Sequence, residues 1–222
     1  MNPSNKSYIV VVGVDHSEAS RLALREAFQI GARRLPSEVH VLNVQTAILP
    51  YPYPFPKLQA SAAQVWSRLL RRLQHFVADE LAAFQESQRR SGDRPFGHVL
   101  SHLRSNSPGQ QIAQLASDLE ADLVVVGTHG RGGIARLLMG STAHAVVTLS
   151  PCPVLVVREK NLLPPGPGVE PPCPQCLAER NRTNGDQLWC DQHREHHGQR
   201  QSHQQPDRLG QEGGFPGAPR SN

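Results

Sequence analysis

Two groups of residues in this 222-residue chain have types and spacings that could do chemistry. The first is Gly127-Thr128-His129-Gly130, followed after nine residues by Gly140-Ser141-Thr142, directly behind the apolar run Leu123-Val124-Val125-Val126. A buried strand that ends in glycines and leads to a helix opening on Gly-Ser can cradle a phosphate. Glycine lets the backbone approach an anion closely, and a helix N-terminus offers unpaired N–H groups and a positive dipole end. The pattern is neither a dinucleotide fingerprint nor a P-loop, because the next lysine is Lys160, beyond the following strand. The second group is Cys173-x2-Cys176 and Cys190-x2-His193. It supplies four soft or borderline ligands as two chelating pairs, the set that tetrahedral structural zinc prefers. His196 and His197 are alternative fourth ligands, but the two-residue spacing favours His193.

The elements that must position the first group alternate between strands and helices. Tyr8–Val14 is a continuous apolar run and reads as a strand buried on both faces. A helix over about 17–34 follows, then a second strand over 39–44 and a proline-spaced loop over 49–56. A long amphipathic helix spans about 61–90, with Val65, Leu69, Leu73, Phe76 and Leu81 along one side. Phe96–Ser101 is a weaker third strand, and Ser107-Pro108 opens a helix that ends near Glu120. The fourth strand is 122–126, a helix covers 141–149, and 151–158 is the fifth strand. Strands alternating with helices imply an α/β fold, a doubly wound sandwich around a five-stranded parallel sheet. Ligands bind such sheets beyond the carboxyl ends of the strands, where strand order reverses. If the first and fourth strands are neighbours, Asp15 and Gly127 face one crevice.

Composition separates this part from the rest. Residues 1–158 hold 16 Lys/Arg and 11 Asp/Glu, net +5, whereas 159–222 hold 7 and 8, net −1. The basic excess comes as pairs such as Arg33-Arg34 and Arg71-Arg72, which read as solvated helix faces. An acidic tail argues against nucleic-acid binding, which depends on clustered Lys/Arg. Residues 159–222 contain nine prolines and eight glycines, so 159–172 reads as a linker, 173–198 as a metal module and 199–222 as disordered. Three clustered thiols point to a metal before a disulfide in a reducing compartment. Within the module, 177–189 with its Asn184-Gly185-Asp186 suits a short hairpin carrying the second ligand pair, as in a small zinc ribbon or knuckle. The alternative is a disordered tail with reactive thiols. Cys152, between two prolines, reads as a packing residue. The start of the chain carries no signal segment and no run reaches a membrane span, so the expected location is cytoplasmic.

Residues 8–158 resemble a universal stress protein domain. The resemblance is carried by Val11-Val12-Gly13-Val14-Asp15-His16-Ser17, by Asp122 through Gly133, by Gly140-Ser141-Thr142-Ala143-His144 and by Pro151 through Val157. It implies strand order 3-2-1-4-5, homodimers through the last strand (Val154–Val157) and ATP binding. Carried over by position, it implies that Val14 and Asp15 lie beside the adenosine, with Asp15 accepting from ribose hydroxyls. Val44 would contact the adenine, and Gly127, Gly130, Gly140, Ser141 and Thr142 would surround the phosphates. Mg²⁺ held by phosphates and waters fits such a site. Arg131 and Arg136 can reach phosphate but read more simply as solvated, and His129 and His144 receive no role.

No motif supplies the positioned base and charge stabilisation that phosphoryl transfer needs, so the expected activity is binding rather than catalysis. Slow ATPase or adenylate transfer is the enzymatic alternative. The functional expectation is an ATP-binding, nucleotide-responsive regulatory homodimer of the stress response with a zinc module. The competing reading is a non-catalytic adaptor whose zinc tail docks a protein partner.

Overall fold

Residues 6–46, 56–91, 97–128, 139–159 and 171–195 are described in the computed structural model. The chain forms two compact units, residues 1–160 and 161–222. In the first unit the strands are β1 (Tyr8–Gly13), β2 (Ser37–Gln45), β3 (His98–Ser105), β4 (Leu123–Gly127) and β5 (Val154–Val157). The helices between them are α1 (Glu18–Arg33), α2 (Pro56–Ser91), α3 (Pro108–Asp118) and α4 (Ser141–Leu149). All strand pairs are parallel, in the order β3-β2-β1-β4-β5. This is the α/β fold that the alternation of elements requires.

Side-chain alternation along the strands explains why β1 is apolar at nearly every position. Val10 and Val12, with Val39, Val41 and Val125, pack beneath α1 and α2 against Leu24, Phe28, Leu73 and Phe84. Val11, with Leu42, Val124 and Val126, faces the opposite way onto Ile112, Leu115 and Val146 of α3 and α4. A strand feeding two cores has no solvated face on which to place polar residues. Each valine so buried stabilises the fold by about 1.5 kcal/mol or more.

Several boundaries depart from the sequence expectations. β3 runs on to Ser105 because it pairs with β2 as far as Gln45↔Ser105. The polar residues that hid this extension have tertiary partners. His102 stacks on buried His40 with its Nε2 2.9 Å from His40 Nδ1, and Arg104 donates to Asp118 of α3 at 2.7 Å. Burial first, then the neighbouring His40 and Arg104, hold the His102 pKa below the ordinary histidine value. Ser107 caps α3 by position but makes no side-chain cap bond. Of the apolar side of α2, Leu73 and Phe76 are buried while Val65 is exposed, so the helix extends past the core it covers.

α2 is also fixed by charge. Glu80 is buried and accepts from Arg21, and from Arg25 Nε at 2.8 Å, both on α1. The Arg21 guanidinium lies over the Phe76 ring, 4.9 Å from its centroid. Both arginines keep access to water, so loss of the carboxylate does not strand a buried charge. Glu80→Ala is therefore expected to cost about 1–2 kcal/mol, read as a lower midpoint in urea unfolding with an unchanged m-value.

Candidate functional site

The site expected beyond the strand ends depends on the turn after β1. Val14 donates its N–H to Leu42 O at 2.9 Å, and its carbonyl accepts from Asn43 Nδ2 at 2.7 Å. Asn43 is buried and in turn accepts from Gln45. Sequence reasoning missed Asn43. The available signal was an amide inside the apolar run 39–44, which has to find a partner when buried. The next residue, Asp15, accepts from the Ser17 N–H at 3.0 Å and the Ser17 hydroxyl at 2.5 Å through one carboxylate oxygen. His16 between them has φ 66°, and its ring packs edge-on against Phe76 with centroids 4.8 Å apart. Ser17 then caps α1 by accepting from the Ser20 N–H at 3.2 Å. The turn is thus a closed hydrogen-bonded unit that fixes where Val14 and Asp15 sit.

β4 lies beside β1, with Gly13 opposite Val126, so Val14-Asp15 and Gly127-Thr128 leave adjacent strands at the same edge of the sheet. The Gly140 N–H donates to Thr128 O at 2.7 Å and brings the start of α4 to the end of β4. Gly140 is the N-cap of α4 and no side chain caps the helix, so Ser141 and Thr142 form an open first turn. Val44, near the end of β2, packs at the edge of the core under α3. Gly130, with His129, Arg131 and Arg136, lies outside the described residues.

Gly127 has a packing role that the phosphate-cradle reading does not require. A Cβ there would stand 2.8 Å from the backbone carbonyl carbon and oxygen of Ala19, so the glycine permits the approach of α1 to β4. Gly127→Ala is expected to destabilise the chain by about 1–3 kcal/mol in urea without any ligand, because backbone rather than a flexible side chain blocks the methyl.

The second unit holds α5 (Pro174–Arg182) and α6 (Asp191–Glu195). Cys173, Cys176, Cys190 and His193 gather there, with all four ligand atoms within 4.8 Å of one another. The separations are 3.6 Å for Cys176 Sγ to Cys190 Sγ, and 3.3 and 3.4 Å from these sulfurs to His193 Nδ1. A tetrahedral metal with ordinary Zn–S and Zn–N lengths has S···S edges of about 3.8 Å and S···N edges of about 3.5 Å. Cys176, Cys190 and His193 therefore stand at the spacing of ligands to one metal, with Cys173 within 4.8 Å of them, and all of these cysteines are free thiols. Burial pushes the Cys176 thiol up, whereas the N–H groups of Cys176 and then Gln175 lower the Cys173 thiol. His196 and His197 lie outside the described residues.

The expected hairpin is not what carries these ligands. Pro174 occupies the first position of α5 behind Cys173, and Gln-Cys-Leu-Ala-Glu-Arg continues it with good helix formers. Asn184-Gly185 ends that helix instead of turning a hairpin. Asn184 takes φ 51°, and Gly185 donates its N–H to Arg180 O at 2.9 Å, as in a Schellman stop. Each ligand pair then occupies the cap and third positions of a helix, Cys173/Cys176 on α5 and Cys190/His193 on α6. Two intervening residues there place both side chains on one side of the first turn. Cys152 is half-buried against the core under α3 and α4.

Comparison with known proteins decides the family of the first unit. The model of the universal stress protein family matches residues 8–158. The chain belongs to that family. A universal stress protein of Mycobacterium tuberculosis is 35% identical over 153 residues, covering 68% of this chain and 45% of the relative. A second protein of that organism is 32% identical over 169 residues, covering 75% of this chain and 53% of the relative. The chain thus spans about half the length of the mycobacterial relatives it matches. A universal stress protein of Methanocaldococcus jannaschii is 28% identical over 158 residues, covering 71% of this chain and 86% of its own. Among solved structures, the universal stress protein UspA of Lactobacillus plantarum is 25% identical with a TM-score of 0.48, covering 69% of this chain and all of its own. Among the described residues no helix is long and apolar enough to cross a membrane.

Proposed function

We propose that the first unit is an adenine-nucleotide receptor that binds ATP with Mg²⁺ in the crevice beyond β1 and β4 and acts in the stress response by changing shape. The observation that carries this reading is the meeting of three features at one sheet edge. These are the rigid Val14-Asp15 turn, the end of β4 at Thr128, and the uncapped start of α4 drawn to it by the Gly140–Thr128 bond. Strand order reverses there, and backbone N–H groups at a helix start suit phosphate oxygens. In the proposed complex Asp15 accepts from the ribose and Val14 and Val44 border the adenine. Gly127, Gly130, Gly140, Ser141 and Thr142 enclose the phosphates and the Mg²⁺ they carry. The protein is read as a cytoplasmic binding protein rather than an enzyme.

Isothermal titration with Mg-ATP should give saturable binding, weakened about tenfold or more by Gly140→Val, whose side chain closes the approach to the helix start. No heat at millimolar ATP, or an unchanged affinity in Gly140→Val, would sink the reading.

A homodimer through β5 accords with the position of that strand at the sheet edge and with exposed Val147 and Leu149 on α4. An edge strand offers unpaired N–H and C=O groups to a second copy.

The second unit is proposed to hold one structural Zn²⁺ on Cys173, Cys176, Cys190 and His193. The gathering of the four ligand atoms within 4.8 Å of one another supports it, and it gives the adaptor reading, a metal-held module that docks a protein partner, its physical basis. When bound, zinc keeps the thiolates deprotonated and supplies folding energy to a segment with little core. Native mass spectrometry should find about one zinc per chain, lost in Cys176→Ser, with the 8–158 domain still folded by circular dichroism. Protein purified without stoichiometric metal would remove this reading.

A further inference from the structure

Paired backbone holds β1 to β2 only as far as Gly13↔Leu42, whereas β2 runs on against β3 to Gln45. The two strands part beyond that pair, where Val14 and Val44 stand. Packing between these two residues does not set the width of the parting. The Val14 side chain enters the core beneath α1 and α2, and the Val44 side chain packs at the core under α3.

What spans the parted ends is a side chain. In a parallel ladder that continued, the Val14 carbonyl would take its bond from the β2 backbone. Here it accepts from Asn43 Nδ2 at 2.7 Å, while the Val14 N–H still reaches Leu42 O at 2.9 Å. Asn43 is buried, and its Oδ1 accepts from Gln45 Nε2, which turns the NH₂ of the amide toward Val14. A neutral amide can donate to a carbonyl and accept from a second amide at once, whereas a carboxylate can only accept. Burying that amide costs desolvation that an apolar residue in the run 39–44 would not, and both of its bonds serve the ends of β1 and β2.

We propose that Asn43 is a positioning residue for the nucleotide, a role that rests on the nucleotide reading of the first unit. Oriented by Gln45, it holds the parted ends of β1 and β2 at the separation that admits the base, acting through the Val14 backbone.

The test compares the wild-type full chain with Asn43→Leu and Asn43→Asp. Mg-ATP affinity is taken from isothermal titration between about pH 8 and about pH 5.5, and folding from the urea midpoint of each protein. Asn43→Leu keeps the size of the side chain without its donor, and the folded protein should bind Mg-ATP about tenfold more weakly than wild type. Asn43→Asp should be weakened in the same way at the upper end of that range, where its carboxylate cannot donate. As the pH falls it should recover toward the wild-type affinity at the same pH, because a protonated carboxyl can donate to Val14 O and accept from Gln45. A side chain that served folding alone would move the urea midpoint and leave the affinity of the folded protein unchanged. Unchanged affinity in Asn43→Leu, or a loss in Asn43→Asp that does not recover in acid, overturns the proposal and leaves the nucleotide reading standing. If neither variant folds, Gln45→Met at its half-buried position decides. It removes the bond that orients the amide and should weaken binding about threefold, while wild-type affinity there overturns the proposal. Wild type that gives no heat with millimolar Mg-ATP overturns the nucleotide reading and the role of Asn43 with it.

Discussion

The first unit depends on one constraint, that β1 must be covered on both faces and paired on both edges. Its alternate valines enter two separate cores, and its neighbours β2 and β4 are reached by chain running in opposite directions across the sheet. The chain lays down β1, β2 and β3 outward on one side and then returns to start β4 on the other. That return creates the reversal of strand order at the carboxyl ends of β1 and β4, the place where doubly wound sheets take their ligands. The placement of the candidate nucleotide residues thus follows from how the central strand is buried.

Much of this was legible because apolar runs and helical spacing report burial directly. Val10 to Val12 and Val124 to Val126 could be nothing but central strands once their length and flanking glycines are considered. The end of β3 was not legible, since His102 and Arg104 look solvated until His40 and Asp118 are known to face them. Asn43 was passed over for a similar reason, because its partner is a backbone carbonyl on another strand. The gathering of Cys173, Cys176, Cys190 and His193 was readable from spacing alone, but the structure around them was not. Asn-Gly is a hairpin signal between strands and a stop signal after a helix, and only the helix formers after Pro174 separate the two meanings.

The glycines of the first unit carry a related ambiguity. Gly127 would collide with the backbone of Ala19 if it carried a Cβ, and Gly109 would meet the Cβ of Ala145 at 2.4 Å. Both serve close packing of helices against sheet or helix. Gly140 is different in kind, because it stands at an uncapped helix start and bonds to Thr128. A glycine-rich motif therefore mixes residues that permit close packing with one that opens a helix start, and geometry sorts them where spacing does not.

The arrangement of Cys173, Cys176, Cys190 and His193 bears on how the second unit can form at all. Each pair joins the cap of a helix to its third residue, so a bound metal pins together the first turns of α5 and α6. Those helices have nine and five residues, below the length at which isolated helices persist in water. The slow step in making any helix is fixing that first turn. A metal that holds two first turns at once would act as a shared nucleus, and helix content in residues 171–195 would then report metal occupancy.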